Sequence, residues 1–317
     1  MTDMQTATMP DLDPRKFQDP SRTAAGEERA VVALTRLKTL WFNTGSLCNI
    51  TCKGCYMESS PTNDRLAYLS IDEVRGYLDE IAADALPVEE IGFTGGEPFM
   101  NKDLPAMLAL SLERGFNALV LSNAMKPMEH RRSELLDLHK RFGDRLSIRV
   151  SVDHHTPDGH EAVRGADTWA PMLDGLTWLA GNGFNLTVAG RTCWGENEAD
   201  ARAGYAALFA DQGIAVDVND PAALVLFPEM DAAADVPEIT VQCWDILGVP
   251  PETIMCASSR MVVKRKDGDA PTVVPCTLLP YEPEFELGPN LADAARPVSL
   301  NHPHCARFCV LGGASCS

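Results

Sequence analysis

From Leu37 onward, short apolar runs alternate with longer segments of helical period. Residues 39–43, Thr-Leu-Trp-Phe-Asn, read as a short buried strand. After a polar loop, Ser70 stands where it can cap a helix beginning at Ile71. Asp72 and Glu73 suit the positive end of its dipole, and Val74, Tyr77, Leu78 and Ile81 recur on one face. Further strands are expected at 90–94, 118–122, 146–152 and 185–189, then at 215–218 or 223–227. Helices are expected at 104–114, 130–142, 169–182 and 198–212. Repeated strand-then-helix units imply parallel strands joined by right-handed crossovers. Too few units fit between 39 and 227 for the eight of a full barrel. The expected fold class is therefore α/β, a partial (β/α)6 TIM-like barrel over residues 35–250, behind a mobile, polar leader over residues 1–34. Beyond 250 the alternation stops. Residues 261–264 and 272–274 flank Lys266-Asp267-Gly268-Asp269 and read as a β-hairpin with a glycine-containing turn. A small second domain, this hairpin plus a Cys-rich tail, is expected over residues 251–317.

Charge narrows the function. Lys and Arg number 27 against 45 Asp and Glu, a formal charge of −18 that disfavours wholesale binding to nucleic acid or anionic lipid. No apolar run approaches the roughly 20 residues of a membrane helix, and the first residues lack a basic-then-apolar signal pattern. A cytoplasmic monomer is expected. In that reducing compartment the 10 cysteines are ligands, nucleophiles or core filler rather than disulfides. They fall into a triplet (Cys48, Cys52, Cys55), two isolated residues (Cys193, Cys243) and a C-terminal set (Cys256, Cys276, Cys305, Cys309, Cys316).

Active sites of such folds lie at the carboxyl ends of the strands. The notable polar groups fall there: Cys48 after the first expected strand, Gly95-Gly96-Glu97 after the second, Asn123 after the third. Ser151 and Asp153 follow at the end of the fourth, and Arg191 after the fifth. The spacing C-x3-C-x2-C lets three thiolates wrap one face of a four-iron cluster and leave one iron open. The competing reading, structural zinc, would recruit a fourth ligand, and no nearby Cys or His offers one.

With its following aromatic, the stretch from Cys48 to Tyr56 resembles the signature of radical S-adenosylmethionine enzymes, and the resemblance covers most of the chain. It implies a [4Fe-4S] cluster on Cys48, Cys52 and Cys55 whose open iron is chelated by the methionyl group of S-adenosylmethionine. Thr94-Gly95-Gly96-Glu97-Pro98 looks like the family element that receives the methionyl amino group. Ser151 and Asp153 match its ribose position. His160-Glu161-Ala162-Val163-Arg164-Gly165 looks like the stretch whose Arg suits a carboxylate. Tyr56 stands where the family sets an aromatic against adenine.

The C-terminal set resembles the Twitch and SPASM extensions of the same superfamily. There a cysteine, a hairpin and a second cysteine hold one side of an auxiliary cluster, and later cysteines close it. Five thiols suffice for one auxiliary [4Fe-4S] cluster on four of Cys256, Cys276, Cys305, Cys309 and Cys316. Zinc is the rival occupant. Cys193, after Arg191 and Thr192, stands where a hydrogen-donating thiol would serve a radical epimerase, or is an inert packed residue; Cys243 reads as core. His302 and His304 read as solvated loop residues or ligands. Arg260, Lys264, Arg265 and Lys266 read as a solvated basic stripe, or as a guide for an anionic substrate or reductant.

The resemblance implies an enzyme. One electron from a flavodoxin or ferredoxin-type reductant cleaves the cofactor, and the 5′-deoxyadenosyl radical abstracts a hydrogen atom from a small-molecule or peptide substrate. The segment before Cys48 is too short for the leader-binding domain of many peptide-modifying relatives, which tilts the expectation toward a small molecule. The alternative from another class is a non-catalytic iron–sulfur or zinc scaffold, which has no use for the glycine-rich element.

Overall fold

The computed structural model describes residues 12–313, apart from Cys193, Met230 and Ala232. Its elements follow in chain order as β1 (Val31–Val32), β2 (Thr39–Asn43), α1 (Ile71–Ala83), β3 (Glu90–Thr94), α2 (Leu104–Glu113) and β4 (Asn117–Ser122). Next come α3 (Lys126–Glu129), α4 (Arg132–Phe142), β5 (Leu146–Ser151), α5 (Pro157–Arg164), α6 (Trp169–Gly181), β6 (Asn185–Arg191), α7 (Glu198–Gln212) and β7 (Leu224–Phe227). The chain continues through α8 (Cys243–Leu247), β8 (Ser259–Val263), β9 (Thr272–Val274), β10 (Val298–Ser299) and a π-helix, Cys305–Val310.

Strands β2 to β7 lie side by side in chain order, each parallel to the next. Helical crossovers make this arrangement possible, since parallel neighbours cannot be joined by tight turns. The sheet is an open, partial barrel: among the described residues β7 pairs with β6 alone. Of the two stretches considered for the sixth strand, 223–227 is the one that forms it. Strand interiors are apolar because both faces are covered. Trp41, Phe42 and Phe93 are fully buried, and the Phe42 and Phe93 rings stack at 5.8 Å. The capping box that opens α1 is complete: Ser70 Oγ accepts from Glu73 N, and Glu73 returns a carboxylate oxygen to Ser70 N at 2.8 Å.

Three features depart from the sequence reading. The hairpin joins the barrel sheet: β8 pairs in parallel with β2, and β9 then pairs antiparallel with β8. Residues 12–34, expected as a mobile leader, are packed down over the described part. β1 pairs with β10, and the fully buried Arg29 forms an ion pair with Glu238. The basic stripe is not solvated as a whole, because β8 is an interior strand. Arg260 is fully buried, Lys264 reaches Glu73 at 2.6 Å, Arg265 reaches Glu286 at 2.8 Å, and only Lys266, paired with Asp64, lies at the surface. No helix among the described residues is long and apolar enough to cross a membrane.

Candidate active site

The loop after β2 carries Cys48, Cys52 and Cys55, and all three line a cavity of about 1030 Å³, its open mouth included, at the carboxyl ends of the strands. Tyr56, Gly95, Gly96, Asn123, Ser151, Asp153, Arg164 and Arg191 line the same cavity. Eight candidate positions, separated by up to 143 residues from Cys48, thus converge on the triplet because they lie at or beyond the carboxyl ends of parallel strands.

The glycine pair docks the cysteine loop. Gly96 N donates to Gly45 O at 2.7 Å and Glu97 N to Leu47 O at 3.0 Å. A Cβ on Gly96 would fall 2.1 Å from Leu47 O, and one on Gly95, at φ +139°, would fall 2.4 Å from Gly45 O. Any side chain here would push the cysteine loop off the sheet. Glu97 itself is not among the residues lining the cavity. Its buried carboxylate accepts from Ser122 Oγ at 2.9 Å, Asn123 N at 2.8 Å and Phe99 N at 3.2 Å. Burial raises its pKa to about 7 against those bonds. It therefore fixes the β4 loop, from which Asn123 Nδ2 reaches Asn49 Oδ1 at 2.9 Å.

Opposite the glycines stands a charged clamp. Arg164 at the end of α5 grips Asp153 with two hydrogen bonds, 3.0 Å from Nε and 3.2 Å from a terminal nitrogen. Arg191 adds a contact at 3.5 Å and donates to Lys53 O and Gly54 O at 3.3 Å, inside the cysteine loop. Burial opposes the Asp153 charge, but Arg164 and then Arg191 hold its pKa below the ordinary carboxylate value. Burial pushes the Cys48 thiol up to about 12 and raises Cys52, while Arg164 pulls Cys52 back. A thiol so placed is no free nucleophile at neutral pH; coordination to a metal is what deprotonates it. The donor set therefore fits an iron–sulfur cluster better than a reactive cysteine.

Arg149, Leu278, Phe227 and Phe308 also line the cavity and were missed by sequence reasoning. Arg149 had a signal: it precedes Ser151 and Asp153 at period 2 and so shares their inward face. Phe308 had none, since nothing local brings the π-helix to β7, where its ring meets Phe227 at 5.3 Å.

A second cavity, about 340 Å³, is lined by Cys256, Cys276, Cys305 and Cys309 together with His304 and apolar neighbours including Leu278. Leu278 faces both cavities. Burial pushes Cys256 up to about 11 and Cys305 up to about 12. His304 is buried, with Nδ1 unpartnered among the described residues, and burial lowers its pKa to about 4. It is thus no solvated loop residue. Cys193 and Cys316 lie outside the described residues. No disulfide joins the described cysteines, and Cys243 opens α8 in a half-buried place.

A third cluster joins His154, His155 and Glu196, its ligand atoms all within 4.8 Å of one another. His154 Nδ1 accepts from Thr156 N at 3.0 Å, which leaves its proton on Nε2, 3.2 Å from Glu196. His154 therefore faces Glu196 through its protonated nitrogen, while His155 Nδ1 and Glu196 Oε1 are buried without a hydrogen-bond partner among the described residues.

A family model described as "Radical SAM superfamily" matches residues 42–203, about half of the chain. GTP 3′,8-cyclase of Tolumonas auensis is 27% identical over 150 residues, covering 47% of this chain and 43% of that protein. Fe-coproporphyrin III synthase of Methanosarcina barkeri is 35% identical over 127 residues, 39% of this chain and 30% of that one. The subtilosin biosynthesis protein AlbA of Bacillus subtilis is 27% identical over 143 residues, 45% and 30% of the two chains. The matched stretch spans less than half the length of each of these curated relatives. Among solved structures, Streptococcus suis SuiB bound to S-adenosylmethionine aligns with TM-score 0.58 at 8% identity, over 80% of this chain and 63% of that one. The anSMEcpe structure with bound AdoMet aligns with TM-score 0.58 at 13% identity, over 81% and 79%. At such identities the likeness is one of fold.

Proposed function

Because the chain belongs to the radical SAM superfamily, we propose that it cleaves S-adenosylmethionine reductively at a [4Fe-4S] cluster on Cys48, Cys52 and Cys55 and abstracts a hydrogen atom from a bound substrate. The observation that carries this reading is the convergence of three thiols of one loop with the β3 glycines and the Asp153 clamp on one cavity. When bound, the cluster and its cofactor supply the electron transfer and the hydrogen-atom abstraction. The protein's part is to hold and orient. Arg191 steadies the loop through Lys53 O and Gly54 O, and Glu97 sets Ser122 and Asn123 on the cavity wall. Ser151 and Asp153 offer oxygen acceptors suited to ribose hydroxyls, and Tyr56 and Phe227 offer flat faces suited to a purine.

Cys256, Cys276, Cys305 and Cys309 would hold an auxiliary [4Fe-4S] cluster, fully ligated without Cys316. Full ligation favours an electron-accepting role over direct binding of substrate. The relatives' names span a nucleotide cyclase, a porphyrin synthase and a bacteriocin biosynthesis protein, so the substrate class is a small molecule or a peptide. The test is anaerobic reconstitution with iron and sulfide, then dithionite and S-adenosylmethionine, with chromatographic detection of 5′-deoxyadenosine. Formation of that product supports the reading; a fully loaded chain that forms none overturns it. Metal analysis of the same sample separates iron at the second cavity from zinc.

A further inference from the structure

Arg260 stands apart from the ion pairs that acidic side chains form among the described residues. The side chain is fully buried on β8, and its guanidinium donates to four backbone carbonyls: Ala294 O at 2.8 Å, Cys256 O at 2.6 Å, Ser259 O at 2.8 Å and Arg296 O at 3.1 Å. Among the described residues no carboxylate pairs with it. Its neighbours in sequence differ, for Lys264, Arg265 and Lys266 each have an acidic partner. So do Arg164 and Arg191, which share Asp153. A buried cation bonded only to neutral dipoles is costly unless an anion completes it. The guanidinium is fastened to the second cavity through the Cys256 carbonyl, and Cys256 is one of the four cysteines around that cavity.

We infer that Arg260 is a positioning residue that supplies the counter-charge of this four-cysteine site and raises the reduction potential of the cluster held there. The inference rests on the reading of Cys256, Cys276, Cys305 and Cys309 as ligands of one iron–sulfur cluster. A tetrathiolate cluster gains one negative charge on reduction, so a fixed cation nearby stabilises the reduced form more than the oxidised one. The radical-site cations lend less, since Asp153 offsets part of their charge. The auxiliary cluster becomes the electron-accepting partner of the pair, fitted to take one electron from a substrate radical as that radical becomes a closed-shell product. His304, which lines the same cavity and whose buried Nδ1 has no partner among the described residues, acts in the same direction if it donates to a cluster sulfur.

The experiment uses the full chain carrying Cys48→Ala, Cys52→Ala and Cys55→Ala, so that only the second site can load. About four irons per chain in this background supports the ligand reading, and none overturns that reading independently of Arg260. The midpoint potential is then followed by electron paramagnetic resonance in Arg260→Met, Arg260→Gln and Arg260→Lys. The neutral variants are expected to lower the reduced-to-oxidised ratio at fixed ambient potential at least tenfold, about 59 mV for a one-electron couple, and Lys to preserve it within about threefold. Unchanged potentials in Met and Gln overturn the inference, as does a Lys variant displaced as far as they are. Should neither neutral variant fold, the Lys variant decides: a tenfold displacement with the charge kept overturns the inference, and an unchanged potential supports it.

Discussion

The two cysteine sites are built in opposite ways. The radical site takes its three thiols from one short loop and lines a large, open cavity with paired charges, Arg164 and Arg191 against Asp153. The second site gathers thiols from before β8, after β9 and both ends of a π-helix turn, and encloses them largely in apolar side chains, with the buried Arg260 bonded to the Cys256 carbonyl. A site that must admit a cofactor and a substrate needs an open mouth and polar walls that orient them. On the reading proposed above, the second site exchanges electrons alone, and such a site gains from exclusion of water, because burial and fixed charge set its potential.

The sharpest way to break this comparison is to remove one ligand set at a time. Cys52→Ala is expected to reduce 5′-deoxyadenosine formation to background while leaving about half of the iron, whereas Cys305→Ala should lose a similar share of iron yet still cleave the cofactor. Product chromatography with iron analysis reads both; cofactor cleavage lost equally in the two variants would mean that the sites are not separable.

A smaller effect is expected from Asp153→Asn, which leaves Arg164 and Arg191 facing a neutral amide in a buried place. Urea denaturation should show a loss of about 3 kcal/mol or more. The pH dependence has a definite sign. Asp153 is held below its ordinary value of 3.8, so its contribution is fully present above that value and is lost as pH falls through the lower folded value. A D153N chain whose stability matches the parent at pH 7 would remove the clamp from the account.

The smallest effect concerns the link between the regions. Tyr281, in the C-terminal segment, donates to Met57 O at 2.7 Å in the loop just past Cys55, and Arg65 lies over its ring at 3.7 Å. Tyr281→Phe should cost about 1 kcal/mol in urea and speed amide exchange around Met57. No change in exchange there would show that the cysteine loop is held from the barrel side alone.

The same contrast explains what could be read from the sequence. Strands β2 and β3 and helix α7 were legible to the residue, because both termini of each carry local signals such as the Asn197 cap and the left-handed Gly213 that bracket α7. The convergence of the cysteine triplet was legible because its three positions lie within one short loop. Arg260 was misread as solvated because a basic run on an expected hairpin says nothing about which strand covers it; pairing with β2 decides that. Glu97 was singled out as a group facing the cofactor, whereas its carboxylate turns to Ser122 and Asn123 on a neighbouring loop that no spacing reveals. The π-helix escaped because its packing faces do not follow a 3.6-residue period.

The pairing of β8 with β2 also carries a consequence for biosynthesis. Residues 39–42 leave the ribosome well before one of their two partners, 259–262. Until then the β2 edge beside the metal-binding loop stands open, a template for wrong pairing and for oxidation of free thiols. Cluster insertion and completion of the sheet are thus competing clocks during synthesis. Slow translation between the two segments should favour aggregates, and a chaperone that covers a strand edge should favour the folded chain.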